Sequence, residues 1–486
     1  MLHFWIALFV IMVGILFWKW RRPRNFPPGP WALPIIGNLL QVDYRNPLPD
    51  FKQMAKRYGN VYSIFVGGDP LVILNGYQTV KDALVNHAAE FSDRPSDPLF
   101  IKATNMKGII TAPYGQPWKE QRRITLMLLK NFGLGKKSME IKILDGIKNL
   151  VKAIKDMEGH PFDPKPLIHA CISKIICCIL FGEQFYTKKE GFTKMVQMIE
   201  ENIKMFAGIW GQVYNTIPFV RGLPLPFQKI FKNIDAVQGI LRKILDEHKR
   251  NVVQEEKTDF VYRYLEEMDK SKDSGTFLDE ENLFFLMGDL IAGGTDTTIN
   301  TTLWAVLLMA AYPDVQATCY KEIKSTLDGK ENLHYEDRLR MPYTLAVMNE
   351  IQRFANIVPF AVPHATKKEA LFCGYTIPKG IKVLVDLTSV LRDESQWKFP
   401  NEFNPCNFLN CKGEFEKQDA FLPFSAGPRI CLGENFARME VFLIFTALVK
   451  QFEIVWPDFS VAPDLTSVFG ITQSPLPFKV SLKERK

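Results

Sequence analysis

The sequence predicts a mainly α-helical protein with a minor β region, preceded by a single membrane-spanning helix. Three observations predict this class. The first residues form a long apolar run, helical periodicity dominates from about Thr79 onward, and strand-like runs are few and short. With 486 residues, 47% hydrophobic and 23% charged, the composition is that of a globular protein rather than a disordered one. Length alone favours two or three domains, although large enzymes of a single fold depart from this rule.

The first segment, residues 1–20, is predicted to be a transmembrane anchor. The run from Leu2 to Trp18 is uncharged apart from His3. As a helix it would reach about 25 Å, enough for a thin bilayer such as that of the endoplasmic reticulum. The basic sequence KWRRPR follows, which by the positive-inside rule leaves the rest of the chain in the cytosol. A cleaved signal peptide is disfavoured, because no small-residue cleavage site follows and the charges lie after the apolar run.

A proline-rich segment, residues 21–38, is expected to join the anchor to the body. It contains NFPPGPWALPIIGN, whose prolines remove backbone donors and stiffen the chain into a semi-rigid spacer. Residues 39–486 show no internal repeat and no low-complexity block, and are expected to form one large, mostly helical body.

Strands are predicted at three places in this body. VYSIFV and PLVILN, separated by Gly67, Gly68 and Asp69, indicate a hairpin. The later candidates are EALFCGYTIPKG with IKVLVDL, and the terminal FKVSL. The sheet region should therefore be small.

The longest helix is predicted from about Asp279 to Ala311, ending just before Pro313. It is apolar nearly all round, so it should pass through the interior. GGTDTT lies at its middle, where Gly costs helix stability and buried polar groups need partners. Two interpretations remain open: a glycine kink whose Thr hydroxyls bond back to carbonyls, or a site where the helix opens to admit a ligand.

The charge and the cysteines exclude several classes of protein. A net charge of +7, spread along the chain, favours an acidic partner or an anionic membrane surface over nucleic acid. None of the eight cysteines forms a CxxC or CxxCH motif, so a zinc site and covalently attached c-type haem are not expected. In so long a chain the cysteines indicate reduced thiols.

One cysteine, Cys431, stands in an unusual setting, FSAGPRICLG. Gly427 and Gly433 let the backbone approach a flat ligand, and Gly433 opens a helix whose free N–H groups can stabilise a thiolate. Arg429 adds positive charge, and Phe424 can shield the sulfur from water. A lone cysteine is more often a buried structural residue, but that interpretation does not explain why the arginine and the glycines occur together with it.

These residues resemble the haem-binding signature of the cytochrome P450 monooxygenases, F-x-x-G-x-R-x-C-x-G, at every specified position. GGTDTT resembles the motif of the family's central helix, EIQR supplies its Glu-x-x-Arg pair, and WKEQR its W-x-x-x-R. The resemblance runs from PPGP to the turn Phe469-Gly470-Ile471 and is to the animal microsomal family-2 enzymes. It implies the cytochrome P450 fold and a haem b whose iron is bound by Cys431.

The resemblance also implies roles for other residues. Asp296 and Thr297 take the acid–alcohol positions that relay protons. Glu350 and Arg353 lock the loop carrying the cysteine, although such an i, i+3 pair is weak evidence by itself. Asn407 stands where the family has Arg or His, so we expect this third member of the lock to be weaker or differently arranged. The expected haem contacts are Arg94, Trp118, Arg122, His364, Phe424, Gly427, Arg429 and Gly433.

Substrate would lie against apolar stretches that converge on the distal face in related enzymes. The residues expected there are Phe100, Ile110, Phe206, Ala292, Val358, Val362, Phe469 and Ile471. The segment MFAGIWGQVYNTIPFVRGLPLPF is apolar enough to dip into the bilayer as a second contact and an entry route. A plain helical hairpin is the alternative.

The function implied is insertion of one oxygen atom of O2 into a lipophilic substrate, such as a fatty acid, a steroid or a xenobiotic. No flavin or nucleotide fingerprint is present, so electrons would come from NADPH-cytochrome reductase, with cytochrome b5 as an additional candidate. The basic residues that could form the docking face are Lys119, Arg122, Arg123, Lys136, Lys137, Lys412, Lys417 and Arg438; a solvated surface explains several of them equally well. The alternatives are a haem-thiolate isomerase or dehydratase that needs no external electrons, and a non-catalytic haem sensor.

Overall fold

A computed structural model describes residues 3, 5, 22–34, 36–131, 137–186, 189–250, 259–271, 276–330, 333–458 and 460–485. The predicted anchor therefore lies outside the described residues, apart from His3 and Trp5. Among the helices that are described, none combines the length and the apolar composition needed to cross a bilayer.

Helices make up most of the described chain, which confirms the predicted mainly α class. In order they are α1 (Leu48–Tyr58), α2 (Tyr77–Lys81), α3 (Ala88–Phe91), α4 (Pro98–Thr104), α5 (Gln116–Asn131), α6 (Lys137–Lys155), α7 (Lys165–Leu180), α8 (Glu183–Tyr186), α9 (Lys189–Ala207), α10 (Ile209–Thr216), α11 (Gln228–Arg250), α12 (Phe260–Lys270), α13 (Glu280–Ala311), α14 (Pro313–Thr326), α15 (Pro342–Ala355), α16 (Leu387–Leu391) and α17 (Glu434–Gln451).

The β structure is small, as predicted. The strands are β1 (Val61–Val66), β2 (Asp69–Leu74), β3 (His364–Ala365), β4 (Ala370–Phe372), β5 (Tyr375–Ile377), β6 (Lys382–Val385), β7 (Phe452–Val455), β8 (Ser467–Val468), β9 (Ser474–Pro475) and β10 (Ser481–Glu484). One sheet has the order β1-β2-β6-β3, and the others are two-stranded pairs. The predicted hairpin is β1–β2, antiparallel, with Val61 opposite Leu74.

The central helix α13 forms where the sequence predicts it. The Asp279 side chain caps its first turn by accepting a hydrogen bond from the Asn282 N–H at 2.6 Å. Pro313 begins α14 directly after Tyr312, so the two helices are separated by a single residue. Most of α13 is buried, and it packs against α7, α9, α15 and α17. A helix enclosed on all sides in this way is the scaffold of the interior.

The proline-rich segment is attached to the body along β1. The Ser63 N–H donates to the Pro28 carbonyl at 2.7 Å, and the Ser63 hydroxyl donates to the Pro27 carbonyl at 2.7 Å. A Cβ on Gly29 would lie 1.8 Å from the Ser63 carbonyl oxygen, so only glycine allows this approach. The described part of the spacer is thus held against the sheet.

A buried ion pair fixes the segment that leads to the Cys431 loop. Arg353 and Glu350, one turn apart on α15, are fully buried and joined by two hydrogen bonds of 2.7 Å. The same guanidinium donates to backbone carbonyls between Leu391 and Glu402, at 2.6–3.2 Å. Removing one partner of such a pair costs about 3–5 kcal/mol, because the other charge is left buried.

Asn407 does join this lock, as an uncharged amide that hydrogen-bonds to the Glu350 carboxylate. Its Nδ2 lies 3.2 Å from both carboxylate oxygens of Glu350, and its Oδ1 accepts from the Phe399 N–H at 2.9 Å. The Asn404 N–H donates to Glu350 at 2.8 Å. The third member is therefore differently arranged from a charged residue, as the sequence suggested, and it also binds the loop backbone directly.

Replacing Asn407 by alanine is expected to lower the free energy of unfolding by about 1–3 kcal/mol, because a buried carboxylate and a backbone N–H lose their partners. Asn401→Ala, an exposed position in the same segment, is the control and should change stability by less than about 0.5 kcal/mol. Thermal unfolding followed by circular dichroism measures both. Equal losses in the two variants would contradict the role given to Asn407.

Candidate active site

The interior contains a mostly apolar cavity of about 330 Å³ between the middle of α13 and the start of α17. Cys431 lines one side and Thr297 lines another. The Cys431 side chain is accessible, but the space it faces is this cavity and not the outer surface. A cavity of this size lies at the lower end of the range for small-molecule sites. Of the three residues proposed for chemistry, Cys431 and Thr297 therefore line the same cavity, and Asp296 does not.

The loop before α17 holds the sulfur in place. Gly427–Arg429 forms one 3-10 turn, and the Cys431 N–H donates to the Phe424 carbonyl at 3.0 Å. Burial raises the pKa of the Cys431 thiol, whereas backbone N–H donors from Gly433 and Glu434 and the charge of Arg122 act to lower it. The helix N-terminus thus stabilises the thiolate as expected, but burial outweighs it. A coordinated cation is what would make the anion the favoured form.

Gly427 is required by a contact within the protein. It does not line the cavity, and its φ is +73°. A Cβ at this position would lie 1.9 Å from the Leu84 carbonyl oxygen. The contact between the Cys431 loop and the turn at Asp82–Asn86 therefore needs glycine here. Gly433, in contrast, lines the cavity.

Three arginines surround the cysteine side of the cavity. Arg94 donates to the carbonyls of Ile110 and Val362, at 2.8 and 2.7 Å. Arg122 donates to the Ile430 carbonyl at 2.5 Å. None of Arg94, Arg122 and Arg429 forms an ion pair with a carboxylate in the described part of the chain.

Arg429 is held both by hydrogen bonds and by an aromatic ring. It donates to the carbonyls of Ser92, Ile109 and Ala112 at 2.9, 3.1 and 2.7 Å. Its guanidinium carbon lies 4.0 Å from the ring centroid of Trp118, whose own N–H donates to the Ile109 carbonyl at 3.0 Å. Burial lowers the pKa of Arg429 to about 10. Trp118 thus supports Arg429 as well as lining the cavity.

This arrangement fits a haem. Guanidinium groups whose hydrogen bonds go only to carbonyls can also bind carboxylates, and a haem carries two propionates. Cys431 is a suitable ligand for iron, and the remaining walls are largely apolar. The residues that would hold the group are Arg94, Trp118, Arg122, His364, Phe424, Arg429, Cys431 and Gly433, all of which line the cavity.

His364 reaches the cavity in a neutral form. Its Nδ1 lies 2.7 Å from the Phe91 carbonyl oxygen, which can only accept, so Nδ1 carries the proton. Burial and the charge of Arg94 hold the pKa of His364 well below its usual value. Nε2 is then an acceptor, and His364 could donate to a propionate only after taking up a second proton.

The acid–alcohol pair is divided between two environments. Thr297 lines the cavity and donates to the Gly293 carbonyl at 2.6 Å. Asp296 is buried, does not line the cavity, and accepts from the Thr472 hydroxyl at 2.5 Å. Burial raises the pKa of Asp296. Both interpretations of the GGTDTT segment therefore apply in part. The Thr297 hydroxyl bonds to a carbonyl one turn earlier, and the helix also borders the cavity at this residue.

The predicted substrate residues are only partly assembled. Ile110, Val358 and Val362 line the cavity, whereas Phe100, Phe206, Ala292, Phe469 and Ile471 do not. The Phe100 and Phe206 rings pack edge-on with 6.1 Å between their centroids, and the Phe469 and Phe360 rings pack in the same way. Three of the predicted residues therefore pack against another aromatic ring, and the sequence alone does not reveal such contacts.

Asp289 is a cavity residue that none of the sequence motifs predicted. It lies on α13, lines the cavity, and accepts from the N–H groups of Ile109 and Ile110 at 2.6 and 2.9 Å. Burial raises its pKa to about 6. The neighbouring Gly108 has a φ of +79°, which favours glycine, and a Cβ there would lie 2.3 Å from the Asp289 carboxylate. The signal available in the sequence was an acidic residue within an otherwise apolar helical run.

Comparison with known proteins agrees with this geometry. Residues 27–482 match the profile of the family described as Cytochrome P450. Mouse cytochrome P450 2J5 is 37% identical over 98% of this chain and 94% of the relative. Human cytochrome P450 2J2 is 39% identical over 95% of this chain and 91% of the relative. The pig vitamin D(3) 25-hydroxylase is 38% identical over 98% of this chain and 96% of the relative. The chain therefore belongs to the cytochrome P450 family of haem-thiolate monooxygenases.

Proposed function

We propose that this monooxygenase inserts one oxygen atom of O2 into C–H or C=C bonds of lipophilic substrates, with electrons from NADPH-cytochrome reductase. The observation that carries the proposal is that Cys431 and Thr297 face one largely apolar cavity from opposite elements. We propose residues 39–486 as the catalytic body, residues 21–38 as the hinge and residues 1–20 as the anchor in the endoplasmic reticulum membrane.

A haem held at Cys431 would supply the redox chemistry of O2 activation. The chain's own residues have narrower tasks. Cys431 provides the ligand, and the Gly433 and Glu434 N–H groups stabilise its negative charge. Thr297 presents a hydroxyl that both donates and accepts, so it can hold a proton at the cavity wall. Ile110, Val358 and Val362 keep that wall apolar and exclude water.

Two surfaces are consistent with partners of a microsomal enzyme. Lys119, Arg123, Lys412 and Lys417 are exposed, and an acidic reductase domain could dock against them. Two other basic residues proposed for docking have partners within the chain: Arg122 donates to the Ile430 carbonyl, and Arg438 donates to the Glu434 carboxylate. Around α10, the exposed apolar side chains are Ile209, Trp210, Phe219 and Leu223. We propose this patch as the second membrane contact and substrate entry route.

The rival functions make different demands on cofactors. A haem-thiolate isomerase or dehydratase would turn over without NADPH and reductase, and it would not need the Thr297 hydroxyl. A haem sensor would bind the cofactor without turning over any substrate. The presence of both Asp296 and Thr297 favours the monooxygenase, because heterolysis of an O–O bond consumes protons in an apolar cavity.

The substrate class that we propose to test first is the polyunsaturated fatty acids. The enzyme is reconstituted with reductase and NADPH and incubated separately with arachidonate, vitamin D3 and a set of xenobiotics. Products are identified by mass spectrometry. NADPH-dependent products that incorporate ¹⁸O from ¹⁸O2 are expected. Product formation without NADPH would instead support the isomerase.

Replacing Cys431 by serine is expected to abolish the carbon monoxide spectrum of the ferrous protein that is characteristic of thiolate ligation, along with NADPH-driven turnover. Cys411→Ser, an exposed cysteine away from the cavity, is the control and should leave both unchanged. The spectrum of the reduced, carbon monoxide-bound protein measures this directly. A Cys431→Ser protein with the wild-type spectrum would contradict the assignment of the ligand.

Thr297→Val is expected to reduce product formed per NADPH by about a hundredfold, the lower end of what a positioned proton donor contributes. Thr295→Val is the matched control, because Thr295 donates to the Ile291 carbonyl at 2.8 Å and does not line the cavity. Product and hydrogen peroxide are measured against NADPH consumed. The proton-holding role is wrong if both variants retain wild-type coupling.

A further inference from the structure

A second and larger cavity lies between α1, the C-terminal end of α15 and the strand pair β8–β9. We call it the α1 cleft, and its volume is about 890 Å³. Its lining comes from segments that are far apart in the chain, within residues 46–60, 75–78, 304, 354–356, 386–396 and 465–473. A cleft of this size falls within the range of small-molecule sites.

The α1 cleft is separate from the cavity at Cys431. Among the described residues, none lines both spaces. Neighbours in the chain face opposite ways: Asn356 lines the cleft and Ile357 the cavity, whereas Thr388 lines the cleft and Leu387 the cavity. The cleft is therefore a site of its own, and a haem held at Cys431 would leave it open.

Two buried side chains of the lining have a polar atom without a partner. Within the described chain, neither Asn75 Oδ1 nor Trp304 Nε1 has a hydrogen bond, and both residues are buried. The other amide atom of Asn75, Nδ2, lies 3.5 Å from the Asn60 carbonyl oxygen. Buried polar atoms are normally paired. An occupant of the cleft with donor and acceptor groups could complete this wall, directly or through water.

Three cations line the cleft without a carboxylate partner. Lys52 and Lys56 lie one turn apart on α1 and are exposed, and Arg392 follows α16. Within the described chain, none of the three forms an ion pair. The Arg392 guanidinium carbon lies 5.8 Å from the ring centroid of Phe354, which also lines the cleft. These groups favour an anionic ligand with an apolar part.

The carboxylates of the lining do not cancel this charge. Asp393 accepts from the Tyr77 N–H at 3.1 Å. Asp386 is buried and accepts from the Ser389 N–H at 3.0 Å. Glu394 is exposed and adds one negative charge at the mouth. Because two of the three carboxylates already accept from backbone donors, the charge that is open to a ligand is mainly positive.

We propose that the α1 cleft is a second small-molecule site of this protein and that it binds an amphiphile with a carboxylate group. Lys52, Lys56 and Arg392 attract the carboxylate, and the apolar part lies against Phe354 and Trp304. This inference does not depend on the substrate proposed above, because the cleft shares no lining residue with the cavity at Cys431 in the described chain.

Photolabelling locates the site directly. The probe is octanoate that carries a diazirine on its chain, since so short a chain keeps it monomeric in water. Full-length holoenzyme in phosphatidylcholine nanodiscs is first saturated with an imidazole inhibitor that binds the iron, so that the cavity at Cys431 is filled. Saturable labelling of peptides from α1 and from residues 386–396 is expected, whereas the neutral amide of the same probe should label them weakly.

The chain offers a matched pair of double variants. Lys148 and Lys152 are also exposed and one turn apart, on α6, but they do not line the cleft. Lys52→Gln with Lys56→Gln is expected to raise the probe concentration for half-maximal labelling about fivefold, the effect of two exposed ion pairs. Lys148→Gln with Lys152→Gln should match the wild type. All four positions are on the surface, and the carbon monoxide spectrum of each double variant checks that it is folded.

Three results would each overturn the inference. They are labelling confined to α10 or other surfaces away from the cleft, equal labelling by the octanoate probe and its amide, and equal half-maximal concentrations for the two double variants. The assay measures binding and not turnover. An enzyme without NADPH-dependent turnover would therefore refute the proposed function and leave the result on the cleft intact.

Discussion

Three guanidinium groups beside one cavity, two of them buried and that of Arg122 half-buried, are the constraint on which the rest of the site depends. Arg94, Arg122 and Arg429 meet backbone carbonyls, and no described carboxylate forms an ion pair with them. Carbonyl dipoles compensate a buried charge only partly, so the site favours an anionic ligand on this side. The same positive charge acts on the Cys431 sulfur, since Arg122 lowers the pKa of its thiol against the larger effect of burial. Haem propionates and a thiolate ligand to iron satisfy both requirements at once.

The central helix shows how one element can serve both stability and chemistry. In α13 the hydroxyls of Thr295 and Thr297 donate to carbonyls one turn earlier, which lets polar residues remain in a buried helix. Thr297 nevertheless lines the cavity, whereas Asp296 faces Thr472 on another side. Successive helical residues point about 100° apart, and here Thr297 and Thr298 line the cavity whereas the Asp296 carboxylate is held by Thr472. The pair therefore joins two regions rather than forming a single group.

The loop that carries Cys431 is held from two directions. Arg353 and Glu350 fix the segment before it, with Asn407 replacing a charged residue by hydrogen bonds to both the carboxylate and the backbone. Gly427 allows the loop itself to touch the Leu84 carbonyl. Rigid support of this kind would keep the Cys431 sulfur at a fixed position when a group as large as a haem binds.

The sequence by itself determined the helical class, the hairpin β1–β2, the span of α13 and the identity of Cys431, because these follow from local periodicity, capping residues and a dense motif. It also identified Glu350 and Arg353 through resemblance. Only the tertiary structure decided which side chains face the cavity. Asp296 faces Thr472, Gly427 meets Leu84, and Asp289 holds the N–H groups of Ile109 and Ile110. The direction of each side chain depends on neighbours distant in the chain, and no spacing along the sequence encodes those contacts.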